Sequence, residues 1–251
     1  MTIVLKLKNV TKEYGENLVL DRINLNFDNP TGVYGILGRN GVGKTTLMKI
    51  IFNMITSYKG DIEMNGENTK NNDEVLKQIV YAGGEVNKHN TLFQGKIKNL
   101  LKAYSLMYDS FDREYAEMML ESYGIKLKDK FSKLSTGNKT LVQNTMGLAT
   151  RAPITILDEP TNGLDSVNRQ NFFNFMMEDY AEYPRLFILS THLIQEVENY
   201  LTDGVILKNS KVLIDDTLEN IQLKSHQVSN FRLENKRLVC ETTLGSSVEQ
   251  I

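Results

Sequence analysis

The chain has 251 residues (28.6 kDa), long enough to bury a substantial core as one compact unit with subdomains. Its 29 Lys and Arg nearly cancel 31 Asp and Glu, leaving a formal charge of -2 and a pI near 6.0, so no field of one sign draws it onto nucleic acid. The single cysteine, Cys240, excludes an internal disulfide, and no run reaches the roughly eighteen apolar residues of a membrane-spanning helix; the chain is expected in the cytoplasm, with any membrane span supplied by another chain.

The opening MTIVLKLKNV alternates like a strand and does not resemble a secretory leader. Residues 3–10, 18–20 and 23–27 alternate apolar with polar, and TKEYGEN between the first two runs reads as turn material, so an antiparallel sheet is predicted. VYGIL (residues 33–37) then runs without alternation into a glycine-rich loop. The following TTLMKIIFNM puts Leu47, Ile50, Ile51 and Met54 on one helical face. From about residue 88 to 133 come helical stripes such as Ile97, Leu100, Leu101 and Tyr104, with a break at SYGIKLKDK, which predicts a helical lobe inserted in the core. Two apolar runs, ITIL (154–157) and LFILS (186–190), flank a helix bearing Phe172, Phe173 and Met176 that ends near Pro184, the pattern of buried parallel strands joined by helices. The predicted class is α/β: a parallel-sheet P-loop core with an N-terminal antiparallel subdomain, spanning residues 1–210 with the lobe at about 86–150. The tail, 211–251, has no legible role.

GRNGVGKTT (residues 38–46) fits the phosphate-loop pattern, with Gly38, Gly43, Lys44 and Thr45 at the required spacing between a strand and a helix. Glycines let backbone N–H groups close on phosphate oxygens, and the helix N-terminus adds partial positive charge. Asn40, Gly41 and Thr46 complete the nucleotide-binding set; Lys44 reaches the outer phosphates, and the Thr45 hydroxyl suits a magnesium ion bridging them. At the end of the second buried strand, Asp158 and Glu159 are adjacent and point apart from an extended backbone, which suggests different tasks. Asp158 is suited to magnesium, and Glu159 to orienting or deprotonating the attacking water. In an open parallel sheet the loops at the strands' carboxyl ends share one crevice, which brings His192 of STH (190–192) to the γ-phosphate. LSTGN (134–138) offers a hydroxyl, a glycine and an amide suited to an anion.

The order TKEYG, GRNGVGKTT, LSTGN, ITILDEP, NGLD and STH resembles the ATP-binding subunit of an ABC transporter over roughly the first 210 residues. The resemblance implies that LSTGN is the family's signature sequence, with Ser135, Gly137 and Asn138 pressing on the ATP held by a second subunit. Asp165 of NGLD would cross the same interface, and Tyr14 would stack on adenine. It further implies ATP and Mg2+ as ligands, a second ATP-binding subunit and an integral membrane permease as partners, and a peripheral place on the cytoplasmic face of the cell membrane.

The sequence departs from the family at three points. Thr136 and Asn138 stand where glycine and glutamine are common. In IVYAGGEV, Gly84 occupies the place of a customary γ-phosphate-sensing glutamine, or, with a slip of one, Glu85 does and serves as the substitute; Gln94 is a weaker candidate, and GG as a hinge is the plain alternative. MYDSFDREY is similar to stretches in ATPase subunits of bacterial ABC-2-type exporters of peptides or antibiotics, which favours export. The competing reading is a soluble ABC-type clamp on ribosomes or DNA; its usual marks, two ATPase units with a charged linker or a long inserted coiled coil, are not seen in the sequence.

Overall fold

The fold is that of a computed structural model, which describes residues 3–83, 91–221, 231–234 and 237–240. The opening alternation builds two long antiparallel strands, β1 (Leu5–Tyr14) and β2 (Asn17–Phe27). TKEY proves to be strand, not turn: only Gly15 and Glu16 reverse the chain, with Gly15 at φ 60°. The runs at 18–20 and 23–27 likewise join into one strand. Register shifts in the pairing and a left-handed Arg22 absorb the break in alternation while Leu20, Ile23, Leu25 and Phe27 stay buried, as a β-bulge permits.

Strand β3 (Val33–Leu37), buried throughout, feeds helix α1 (Lys44–Ile51). The helix stops before Met54, which lies beyond its end and is 42% exposed, so Met54 does not extend the apolar face as predicted. Asn53 at φ 58° ends the helical path, a conformation that asparagine adopts more readily than most residues. Next, β4 (Lys59–Met64) and β5 (Glu67–Asn68) complete an antiparallel sheet ordered β2-β1-β4-β5. A short helix α2 (Asp73–Leu76) leads into β6 (Ile79–Gly83).

Helices α3 (Ile97–Met107), α4 (Arg113–Ser122) and α5 (Thr136–Ala149) form the lobe, closed around Phe93, Leu100, Leu101, Leu120, Phe131 and Val142. Helix α5 also leans on the core: a Cβ on Gly147 would stand 3.0 Å from the Ala82 Cβ, so glycine permits this approach to β6. The chain continues through β7 (Ile154–Asp158), α6 (Ser166–Glu182), β8 (Leu186–Thr191), α7 (Ile194–Val197), β9 (Asp203–Lys208) and β10 (Lys211–Thr217). The second sheet runs β10-β9-β3-β8-β7-β6; all its pairings are parallel except β10 on β9. Segment 211–217 is therefore an edge strand of the core sheet. Among the described residues, strands β11 (Phe231–Glu234) and β12 (Arg237–Cys240) form a two-stranded antiparallel sheet of their own.

The lobe and the core are tied by one buried cation. Arg185, just before β8, donates to the Asp179 carboxylate at 2.6 Å, the Leu148 carbonyl at 3.1 Å, the Thr155 hydroxyl at 3.2 Å and the Tyr183 carbonyl at 2.9 Å. Arg151 lies 3.5 Å from the other oxygen of Asp179, 2.9 Å from Asp112 at the start of α4, and over the Tyr183 ring. A cation that leaves water needs partners inside the protein, and for Arg185 helices α5 and α6, the turn after α6 and strand β7 supply them.

Candidate functional site

Strands β3, β7 and β8 are neighbours in the sheet and parallel, so the loops leaving their carboxyl ends open on one crevice. The loop after β3 needs its glycines. A Cβ on Gly38 would stand 2.7 Å from the Leu207 carbonyl oxygen, and one on Gly43 would stand 2.9 Å from a Leu20 methyl and 3.0 Å from the Val19 carbonyl oxygen. Both have positive φ, 150° and 110°, so a side chain would meet both clash and strain. With them the backbone turns directly into α1. Lys44, its first residue, is 5% exposed and donates to the carbonyls of Gly38 at 2.8 Å and Arg39 at 3.2 Å.

The next residue, Thr45, donates to Asp158 Oδ1 at 3.1 Å. Asp158 also accepts from the Ser190 hydroxyl, and its Oδ2 from the Tyr81 hydroxyl at 2.6 Å. Three hydroxyls from three elements thus orient one carboxylate. Its neighbour Glu159 is not extended: φ is 52°, so the divergence of the two carboxylates comes from a left-handed turn and not from strand alternation. Such a conformation in a residue other than glycine costs about 1–3 kcal/mol and persists only where the surroundings impose it. Here the Glu159 N–H donates to both the backbone oxygen of Ser190, at 3.1 Å, and its hydroxyl, at 3.0 Å, which pins the turn to β8. One Glu159 oxygen lies 3.7 Å from Lys44 Nζ and the other 2.9 Å from His192 Nδ1.

Lys44, Thr45, Glu159 and His192 line a cavity of about 460 Å³ whose walls also include Asn40, Gly41, Gly43, Thr46 and Asn162. A second cavity of about 350 Å³ lies alongside, sharing Thr45, Glu159 and Asn162. The structure thus brings together Lys44, Thr45, Thr46, Asp158, Glu159 and His192. Asn40, Gly41 and Gly43 join them there, whereas the residues that the resemblance alone supplied do not. Tyr14, at the end of β1 and 50% exposed, lies outside both cavities, with Lys12 Nζ 4.5 Å from the centre of its ring. Ser135, Gly137, Asn138 and Asp165 also lie outside both. Ser135 caps α5, accepting from the Asn138 N–H at 3.2 Å, and Asp165 caps α6, accepting from the Asn168 N–H at 2.8 Å. Gln94 is exposed in the Thr91–Gln94 turn. Gly84 and Glu85 fall outside the described residues.

Gly137 is buried against the NGLD loop: a Cβ there would stand 2.5 Å from the Gly163 carbonyl oxygen. Gly137→Ala is therefore expected to push the start of α5 off that loop and to lower stability by about 1–3 kcal/mol, as overpacking does. Urea unfolding of both chains measures it.

Sequence patterns did not single out Tyr81, Gln143, Asn144 or Asn162. A tyrosine inside the otherwise apolar run of β6, and consecutive amides on the buried side of a helix, are the signals that could have found them.

The whole is a nucleotide site of the P-loop class on an α/β sheet. Residues 20–162 match the protein family described as ABC transporter, and the chain belongs to that family: it is an ATP-binding cassette, an ATPase by class. The ABC transporter ATP-binding protein YtrB of Bacillus subtilis (strain 168) is 28% identical over 195 residues, 78% of this chain and 65% of its own length. The match thus spans just under two thirds of YtrB. The bacitracin transport ATP-binding protein BcrA of Bacillus licheniformis is 28% identical over 252 residues, 95% of this chain and 78% of its own. Among solved structures, the dimeric post-hydrolysis state of the cassette MJ0796 bound to ADP and Pi shares the fold with a TM-score of 0.71 at 23% identity, covering 85% of this chain and 98% of that one.

Proposed function

We propose that the chain hydrolyses ATP as one of a pair of cassettes docked beneath a separate membrane permease, and that the pair powers export of a peptide or other amphipathic toxic compound. The observation that carries the hydrolytic part is the one cavity on which Lys44, Thr45, Glu159 and His192 open, with Asp158 bonded to Thr45 and lining the cavity alongside. Support for export comes from the name of BcrA as a bacitracin transport protein, and support for pairing from the dimeric form of MJ0796. Among the described residues no helix is long and apolar enough to cross a membrane, which fits a peripheral subunit on the cytoplasmic face.

In this reading the ammonium of Lys44 exchanges its two loop carbonyls for β- and γ-phosphate oxygens. Thr45 and Asp158 present a hydroxyl and a carboxylate oxygen 3.1 Å apart, the hard donors that Mg2+ takes beside phosphate, and they would hold it. When bound, the ion neutralises charge that develops on the phosphates. His192 holds one oxygen of Glu159, leaving the other to receive a proton from water. Tyr14 stacks on adenine, and the exposed caps Ser135 and Asp165, with Gly137 and Asn138 behind them, face the nucleotide of the partner cassette. We assign the ATP-binding domain to residues 1–210 with the lobe at about 86–150, and add β10 to it.

The interface assignment has a direct test. Ser135→Arg is expected to abolish hydrolysis, because a long cation replaces the small cap that meets the partner's nucleotide, while the isolated chain binds ATP as before. Fluorescent-nucleotide titration alongside phosphate release measures both, and loss of binding by the monomer rejects the assignment. The permease assignment predicts that the chain sediments with membranes only when its permease is co-expressed; recovery on ribosomes rejects it.

A further inference from the structure

Helix α5 turns three polar side chains, Thr140, Gln143 and Asn144, onto the second cavity. Two of them are committed to one loop. Thr140 donates to the Asn162 carbonyl at 2.9 Å and Asn144 to the Pro160 carbonyl at 2.7 Å, which fixes the backbone that follows Glu159. Gln143, between them, is 5% exposed, and among the described residues nothing is hydrogen-bonded to its carboxamide. That carboxamide is not sealed from solvent but opens on the cavity, where a small polar ligand can partner it.

The rest of the cavity's lining identifies that ligand. Thr45, Asp158 and Glu159 stand there, and Thr45 and Glu159 also line the phosphate cavity, so the two spaces meet where water would approach the terminal phosphate. A volume of about 350 Å³ holds several waters. A carboxamide is neutral and both donates and accepts, so it binds water without adding charge to a space that already contains two carboxylates and receives a triphosphate. Its helix is anchored to the catalytic loop on both sides of it.

We propose that Gln143 is a positioning residue for hydrolysis, holding the attacking water on the far side from the leaving group while Glu159 takes its proton. The water oxygen bonds to the terminal phosphorus, the bond from that phosphorus to the bridging oxygen breaks, and ADP leaves with the electron pair. The water proton passes to Glu159, and Gln143 exchanges none. This rests on the ATPase reading above.

The test compares the full chain with Gln143→Met, which keeps length and helix propensity and removes both hydrogen-bonding atoms. The expected result is a kcat lower by about 10²-fold, as for loss of a group that prepares water. KM for ATP, ATP affinity in EDTA and the thermal midpoint stay the same, since methionine fills the same space and the amide it replaces makes no hydrogen bond within the described residues. A packing role predicts instead a lowered midpoint with kcat preserved in the remaining folded protein, and that result overturns the proposal. So does an unchanged kcat. Gln143→Ala, smaller and equally helix-compatible, serves if the methionine variant does not fold. A wild-type chain that releases no phosphate overturns the ATPase reading and this inference together, whereas an active wild type with an equally active Gln143→Met removes only the inference.

Discussion

Glu159→Gln is expected to slow ATP hydrolysis by about 10² to 10⁴-fold while leaving ATP affinity intact, the range for losing a general base. The substitution is close to isosteric, and glutamine can still hydrogen-bond His192, which now lies 2.9 Å from the carboxylate. The loop conformation is secured separately by the two bonds from the Glu159 N–H to Ser190, and neither involves the side chain. What disappears is the capacity to accept a proton, together with an ion pair to Lys44 at 3.7 Å that the nucleotide-bound state does not need. Binding is thereby separated from chemistry. ATP-bound dimers should accumulate because the step that reopens them is blocked. Steady-state phosphate release, nucleotide titration and size-exclusion chromatography in ATP measure the three consequences; turnover at the wild-type rate would remove Glu159 from the role of base.

Arg185→Ala is expected to lower unfolding stability by about 3–5 kcal/mol, the typical loss when one partner of a buried ion pair is removed. The large figure follows from what is left behind. Asp179 loses its 2.6 Å partner, while Arg151, 3.5 Å from its other oxygen, is itself shared with Asp112. The Leu148 carbonyl and the Thr155 hydroxyl lose a donor as well. Replacing both members, as Arg185→Met with Asp179→Leu, should recover most of the loss, because apolar side chains of similar size need no partners. Urea unfolding of the wild type, single and double variants forms the comparison. A single variant within about 1 kcal/mol of wild type, the scale of an exposed ion pair, would show that the cluster does not hold lobe to core.

Much of the site was legible because its chemistry is packed into short segments. In GRNGVGKTT the glycines, the lysine and the threonine are neighbours, and the backbone conformation they need is a local property. The buried strands were legible for a similar reason: ITIL and LFILS lack the alternation of a half-exposed strand, and both are buried throughout. Local pattern failed where a neighbour overrode it. Residues 11–14 look like a turn by composition but gain a ladder partner in β2, while Met54 keeps the helical period past a helix already ended at Asn53. The left-handed turn at Glu159 is imposed by Ser190, thirty-one positions further along the chain.

By itself, the sequence determined which chemical groups are present and which short loops can cradle an anion, since those depend on residue type and on φ preferences within a few positions. Tertiary structure alone decided which groups meet. Parallel pairing sets β7 between β6 and β8, so Tyr81, Ser190 and Thr45, from three separate elements, converge on Asp158, and α5 lies where Gln143 lines the same cavity as Glu159. The physical reason is one of range: backbone preferences act over neighbouring residues, whereas a buried hydroxyl or amide acquires its partner only when packing brings distant strands and helices within about 3 Å.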